Sequence, residues 1–367
     1  MTTLGTLLVS LFTLVQLNCE NLFDCRHDSL KDDHEFLPEA YRHWTPSRYW
    51  KKLNRIGQEI VACGGEGKQW RLPDLVALCE VENDSVLRDL TRRSLLRTAR
   101  YEYVMTNSPD VRGIDVALLY SPFTFALVKS YALRVNPLAG MRPTRDILYA
   151  NGVTAGGDTL HVFVLHAPSR AGGEANTRPY RLAVARRLCA AIDSIRQGNR
   201  AANIVVTGDF NDYGDTPALR LLSDNDLTDV SANAIGNNGA KGTYRYQGEW
   251  GSLDHIYVSR LLHEKGGFPP RFFLAAGISR KVSVLRFIVM DGLAALISVP
   301  VWVYLGDYGA SNREWLMKTV HQLQHGLFAL IGIGAVILGW FWWRKRTRSR
   351  FFRQKIAEVR SRRRGEK

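Results

Sequence analysis

Short apolar runs bounded by an acid, an amide or a histidine constrain this chain more than any other feature of its sequence. Thr13–Leu17 leads into Asn18, Leu75–Leu78 into Cys79 and Glu80, and Leu160–Leu165 into His166. Ile204–Thr207 leads into Gly208 and Asp209, and Ile256–Val258 follows Asp254 and His255. Val116–Tyr120 is a further run of the same kind. Runs this short and this apolar predict strands buried in a sheet. Two helical stretches lie among them. Arg48–Cys63 carries Leu53, Ile56 and Ile60 at helical spacing and is stopped by Gly64 and Gly65. Glu174–Arg196 carries a stripe of Leu182, Ala185, Leu188, Ile192 and Ile195, three and four residues apart. The pattern predicts an α/β domain whose strand ends converge on one polar site.

Charge narrows the choice of partner. The 367 residues carry a net charge of +14. Residues 344–367 hold twelve Lys/Arg against two Asp/Glu, which leaves only +4 for the other 343 residues. Global basicity is therefore poor grounds for nucleic-acid binding by the main domain. The five cysteines, Cys19, Cys25, Cys63, Cys79 and Cys189, form no Cys-x-x-Cys pair, so buried reduced thiols are expected rather than a cysteine zinc site or a disulfide framework. Leu4–Leu17 has the apolar character of a signal-peptide core, but no Lys or Arg precedes Arg26. Phe12–Asn18 is read instead as the first strand.

The chemistry is concentrated at the ends of the runs. In Ile204-Val-Val-Thr-Gly-Asp-Phe-Asn-Asp212, Gly208 suits a tight turn, and Asp209 and Asn211 are two apart. In extended backbone they would share a face, a carboxylate to take a proton from water and an amide to hydrogen-bond a phosphoryl oxygen. Glu80 places an oxygen ligand at a strand end, which suits Mg²⁺, an ion that takes few protein carboxylates and keeps several waters. Asn18 and His166 close two other strands, and Asp254 follows the polar loop Gly242–Leu253. An Asp or His at one such place is ordinarily structural; the set is what points to a site.

This set resembles the endonuclease/exonuclease/phosphatase superfamily, with its DNase I-like fold, over about residues 12–262. Arg112-Gly-Ile-Asp-Val-Ala-Leu-Leu-Tyr120 and Arg142-Pro-Thr-Arg-Asp-Ile-Leu148 carry the likeness further, as do His166-Ala-Pro-Ser-Arg170 and Gly208-Asp-Phe-Asn-Asp212. The resemblance implies a four-layer α/β sandwich over residues 10–265 and phosphoester hydrolysis assisted by Mg²⁺, with Mn²⁺ as the alternative. By position, Glu80 would be the principal metal ligand and Asn18 would support the metal or phosphate. Asp209 would align or activate water, Asn211 would stabilise the transition state, and His166 would contact the phosphate or leaving group. Asp254 would belong to the supporting acidic cluster, and Arg145 and Arg170 would contact phosphate. The family's closing small-residue-Asp-His motif has no counterpart: Asp-His occurs only at Asp33-His34 and Asp254-His255, and the latter matches the penultimate motif. In a regular strand Asp254 and His255 would also face opposite ways.

Beyond Gly266 the character changes. Phe287–Leu305 is apolar except for Asp291, and Thr319–Trp343 has 25 residues without a formal charge. Spans are predicted near residues 287–305 and 322–343, since a bilayer core takes roughly 20 apolar residues. Arg344 onward is a basic tail that should be cytoplasmic, with the catalytic domain on the same side of an inner membrane. Residues 267–350 resemble the C-terminal part of DedA-family membrane proteins, with Arg271 and Asp291 as the matching polar positions. The chain thus reads as a phosphoester hydrolase, with nucleic acid among the candidate substrates, tethered to lipid by its C-terminal helices. Two rivals stay open: a fusion or pseudo-enzyme without turnover, and a membrane protein whose role lies in residues 266–343.

Overall fold

Strands dominate wherever β-branched and aliphatic residues cluster, and the pleat sorts their side chains into two faces. The computed structural model describes residues 12–264, apart from 67, 68, 233, 235, 237 and 238. One sheet has four strands in the order β1 (Leu14–Leu22), β4 (Leu75–Val81), β6 (Asp115–Tyr120) and β5 (Glu102–Met105). The other has six, in the order β11 (Leu227–Asp229), β14 (Asp254–Ser259), β10 (Asn203–Asp209), β9 (Thr159–His166), β8 (Ile147–Thr154) and β7 (Phe125–Leu133). Two small hairpins complete the strands: β2 (Gly65–Glu66) with β3 (Gln69–Trp70), and β12 (Tyr244–Tyr246) with β13 (Glu249–Gly251). The helices are α1 (Pro46–Ala62), α2 (Asp84–Arg88), α3 (Glu174–Gly198), α4 (Pro217–Asp224) and α5 (Arg260–Glu264).

Three apolar clusters show that the layers number four. Leu75, Ala77 and Cys79 of β4 pack between the sheets with Val162, Val164, Val205 and Ile256. The alternate residues Val76 and Leu78 face outward onto Leu53, Ile56 and Ile60 of α1. On the far side, Phe163, Ile204 and Val206 pack under Leu188 and Ile192 of α3 and Leu219 and Leu222 of α4. The result is helix, sheet, sheet, helix, the expected α/β sandwich.

The predicted runs all become strands; β9, β10 and β14 are longer by a residue or two at each end, and β1 and β4 run on past their apolar stretches into the polar residues. In the two main sheets four more strands, β5, β7, β8 and β11, go beyond the runs that the sequence marks, as do the strands of both small hairpins. β7 shows why: it is the edge of its sheet and most of its side chains are exposed or half-buried, so no apolar run marks it. Gly208 also departs from expectation. It lies inside β10, paired with Leu165 and His255, and makes no turn. Its φ of +147° and a position where a Cβ would lie 1.9 Å from the Leu165 carbonyl oxygen exclude any other residue. Among the described residues no helix is long and apolar enough to cross a membrane. The expected spans near 287–305 and 322–343, the DedA-like positions Arg271 and Asp291, and the basic tail lie outside the described residues.

Candidate active site

Sheet register places three of the site residues side by side. His166, Asp209 and Asp254 are direct neighbours across β9, β10 and β14. The facing sheet supplies Asn18 from β1 and Glu80 from β4. Glu80 reaches the site through a bulge. Strand pairing shifts between Cys79 and Val81, and Glu80 itself has φ +60°. Regular alternation would have sent its side chain outward with Val76 and Leu78. The left-handed backbone at this position costs of order 1–3 kcal/mol, and such strain concentrates at functional sites. Asn211 also has φ +50°. Asp209 and Asn211 therefore do not converge by strand alternation, as the sequence suggested. They converge through a turn in which the Asn211 amide N–H donates to Asp209 Oδ1 at 2.8 Å.

These residues form the floor of a cleft of about 1160 Å³, lined among others by Asn18, Glu80, Asp209, Asn211, Asp254 and Arg170. Asn18 Nδ2 donates to Asp209 Oδ2 at 2.9 Å and to Glu80 Oε1 at 3.3 Å, tying the two sheets together. Gln16, two residues earlier on the same face of β1, donates to Asp254 Oδ1 at 3.3 Å. His166 lies beneath the carboxylates, 4% exposed, with Nε2 3.7 Å from Asp209 Oδ2 and 3.8 Å from Glu80 Oε1. Burial, helped by the nearby charges of Arg145 and Arg112, holds its imidazole neutral, well below its ordinary pKa. Burial, and then the charge of Asp254, pushes Asp209 well above the usual carboxylate range. Burial likewise pushes Asp254 up to about 6. Three carboxylates thus converge with amides and a neutral imidazole as their neighbours.

That electrostatic imbalance is the test of whether a divalent cation fits here. Glu80, Asp209 and Asp254 repel one another in a buried setting, and the oxygen-rich donor set with the Asn18 amide matches what a hard cation takes. Two buried polar atoms beside the cluster, His166 Nδ1 and Gln16 Oε1, have no hydrogen-bond partner in the protein. The residues present fit the ion.

The two arginines part company. Arg170 lines the cleft and lies 4.6 Å over the Tyr213 ring. Arg145 does not line it. Its buried guanidinium donates to Asp110 Oδ2 at 3.1 Å, to the His166 carbonyl at 3.2 Å and to the Ala167 carbonyl at 2.7 Å, so it braces the end of β9 rather than meeting phosphate. His255 faces away, as the pleat requires. Its Nδ1 pairs with Asp229 Oδ2 at 2.8 Å and its Nε2 bonds the Asp212 carbonyl at 3.0 Å.

The cleft walls hold groups that the strand-end reading missed. The β12–β13 hairpin presents Tyr244 and Tyr246 with their rings stacked at 6.1 Å, and Arg245 over the Trp250 ring at 5.3 Å. The opposite wall carries Phe36, Arg42, Trp44, Arg48 and Lys52, with Lys52 Nζ 5.4 Å from the Trp44 ring. The interleaving of aromatic and basic residues in Tyr244–Trp250 was the available signal.

A model of the endonuclease/exonuclease/phosphatase family matches residues 13–273, the larger part of the chain and all of the site. The chain belongs to this family. Members of the family are typically dependent on a divalent metal and include hydrolases of phosphoesters. Among solved structures the chain is similar to a family protein from Bacteroides thetaiotaomicron, at 17% identity and a TM-score of 0.47, covering 68% of this chain and 82% of that one. It is also similar to a mannosyl-6-phosphatase from the same organism, at 17% identity and a TM-score of 0.46, covering 68% and 85%. The human Nocturnin catalytic domain matches at 21% identity and a TM-score of 0.44, covering 57% and 74%. A curated protein of Haemophilus influenzae, described as an uncharacterized membrane protein, is 39% identical over 77 residues; the match spans 21% of this chain and 35% of that protein's length.

Proposed function

We propose that the chain is a Mg²⁺-dependent phosphoester hydrolase working at this cleft. The observation that carries the reading is the convergence of Glu80, Asp209 and Asp254 with Asn18 in one cluster that holds more carboxylates than cations. Glu80 and Asn18 would hold the ion, with Asp209 and Asp254 close by. Once bound, the ion would supply charge neutralisation for the phosphoryl oxygens and lower the pKa of water. Asp209, fixed by the Asn18 and Asn211 hydrogen bonds, is placed to orient an attacking water and take its proton. The Asn211 side-chain amide is held by the Ala167 carbonyl at 3.1 Å, which leaves its second N–H for a phosphoryl oxygen. Arg170, ion-paired with Glu174 and stacked on Tyr213, places a guanidinium at the wall. The aromatic and basic walls favour a substrate that carries a planar group beside its phosphate, such as a single-stranded oligonucleotide.

The test uses the full chain with Mg²⁺ or Mn²⁺ against a model phosphodiester, a single-stranded oligonucleotide and a sugar phosphate. Cleavage of at least one is expected. Asp209→Ala and Glu80→Ala should each lower it by about 10²-fold or more, the scale of losing one transition-state contact. No metal-dependent cleavage of any substrate, or cleavage unaffected in both variants, overturns the assignment. The orientation of His255 favours one second reading, a module that binds the ion without turnover, because no other Asp-His pair reaches the cleft among the described residues. Saturable Mg²⁺ binding by calorimetry without hydrolysis would select it.

Membrane tethering belongs to the same proposal. It rests on the apolar runs near 287–305 and 322–343, the basic block after them, and the likeness to a protein described as a membrane protein. The full chain should sediment with membranes and stay there in high salt; release by salt would leave only electrostatic attachment.

A further inference from the structure

The loop between β1 and the 3₁₀ turn His34–Phe36 brings together a second group of metal-ligating side chains. We propose that His27, Asp33 and His34 form a site for a transition-metal dication of the Zn²⁺ type, separate from the cleft. One ligand atom from each of the three lies within 4.8 Å of the others. His27 Nδ1 is 2.5 Å from Asp33 Oδ1, and the His27 and His34 rings face each other at 4.4 Å between centroids.

The ligand types set the metal. Two imidazoles and one carboxylate suit Zn²⁺, Co²⁺ or Ni²⁺, whereas Mg²⁺ prefers oxygen alone. The two sites are therefore chemically distinct, and none of the three residues lines the cleft. The supporting shell is already in place. Asp33 is 1% exposed, and its second oxygen accepts the Asp28 N–H at 2.7 Å. Lys31 anchors the loop by donating to the Ser108 and Asp110 carbonyls, both at 2.9 Å, and Asp32 N–H bonds the Val111 carbonyl at 2.8 Å. Both histidines are exposed, which gives an ion a path from solvent. Ligands about 2 Å from a tetrahedral ion lie roughly 3.3 Å apart, so the His27 Nδ1–Asp33 Oδ1 pair must open and give its shared proton to solvent as His34 closes in. Rotation of the two exposed histidine side chains supplies both adjustments.

Closing the site would fix the turn that carries Phe36. That residue stacks on Phe23 at 4.1 Å and forms part of the cleft wall two positions after His34.

The test is a calorimetric titration of the untagged full chain with Zn²⁺, after chelator treatment and in excess Mg²⁺ to fill oxygen-ligand positions. Co²⁺ replaces Zn²⁺ in a parallel run that reads the visible absorption of nitrogen-ligated cobalt. One saturable equivalent is expected. His27→Ala and His34→Ala should each weaken it by about 10- to 100-fold or more, while Asp209→Ala leaves it intact. Circular dichroism of the variants reports folding, which an exposed histidine should not disturb. The proposal is overturned if the wild type binds no saturable equivalent. It is also overturned if the equivalent survives both histidine variants, or disappears in Asp209→Ala.

Discussion

Strand β14 separates two clusters of buried charge that obey opposite rules. On its cleft side, Asp254 joins Glu80 and Asp209, three carboxylates whose neighbours are amides, a neutral histidine and one cation, Lys52, facing Glu80. On its other side, His255 meets Asp229 at 2.8 Å, and the Asp212 carboxylate meets Arg181 at 2.9 Å in a pair almost wholly out of contact with water. The second cluster balances its charge within the chain. The first does not, and buried like charges are tolerated only where something else neutralises them. The difference teaches where the protein holds itself together and where it leaves a place for an ion. Distance along the sequence does not mark it, because Asp209 and Asp212 are three residues apart and Asp254 and His255 are adjacent.

The largest expected effect tests that contrast by sign. Arg181→Met leaves Asp212 buried and unpaired and should cost about 3–5 kcal/mol in denaturant unfolding. Asp209→Asn, made in the metal-free chain, should raise the unfolding midpoint, because it removes one of three mutually repelling carboxylates. Equal losses in both variants would erase the distinction between the clusters. A smaller effect sharpens it. Mg²⁺ at about 100 times its dissociation constant should stabilise the wild type by ~2.7 kcal/mol and Asp209→Asn by far less, read as a thermal shift. Similar shifts in both would place the ion elsewhere.

The smallest effect is a pH dependence. Burial draws the His255 pKa down, but the Asp229 carboxylate outweighs it and leaves the imidazole above its ordinary value. A group raised in the folded state contributes stability that is complete below its unfolded pKa of about 6.5 and is lost as pH rises through the folded value. The unfolding midpoint should therefore decline over that window, and Asp229→Asn should flatten the decline. A wild-type profile without this component would remove His255 from the balanced cluster.

Much of the site was legible in the sequence because a buried strand cannot end on an acid or amide without a reason. Asn18, Glu80, Asp209, Asn211, Asp254 and Arg170 all reach the cleft, and His166 lies directly under it. Arg145 was legible as a residue but not as a role. An arginine in a loop and an arginine bracing two carbonyls read alike until the carbonyls of His166 and Ala167 are placed. Gln16 was recoverable from period two, and the Tyr244–Trp250 hairpin from its aromatic and basic interleaving.

By itself the sequence determined the six buried strands, the two long helices and the kinds of side chain that end those strands, since these follow from local periodicity and polarity. Only the tertiary structure decided which way those side chains point. The bulge that turns Glu80 inward, the turn that joins Asn211 to Asp209, and the pleat that sends Asp254 to the cleft and His255 to the core depend on pairing between strands distant in sequence. A one-residue shift in any of those pairings would reverse the faces, and the bulge at Glu80 and the turn at Asn211 break the alternation from which the faces would otherwise be read.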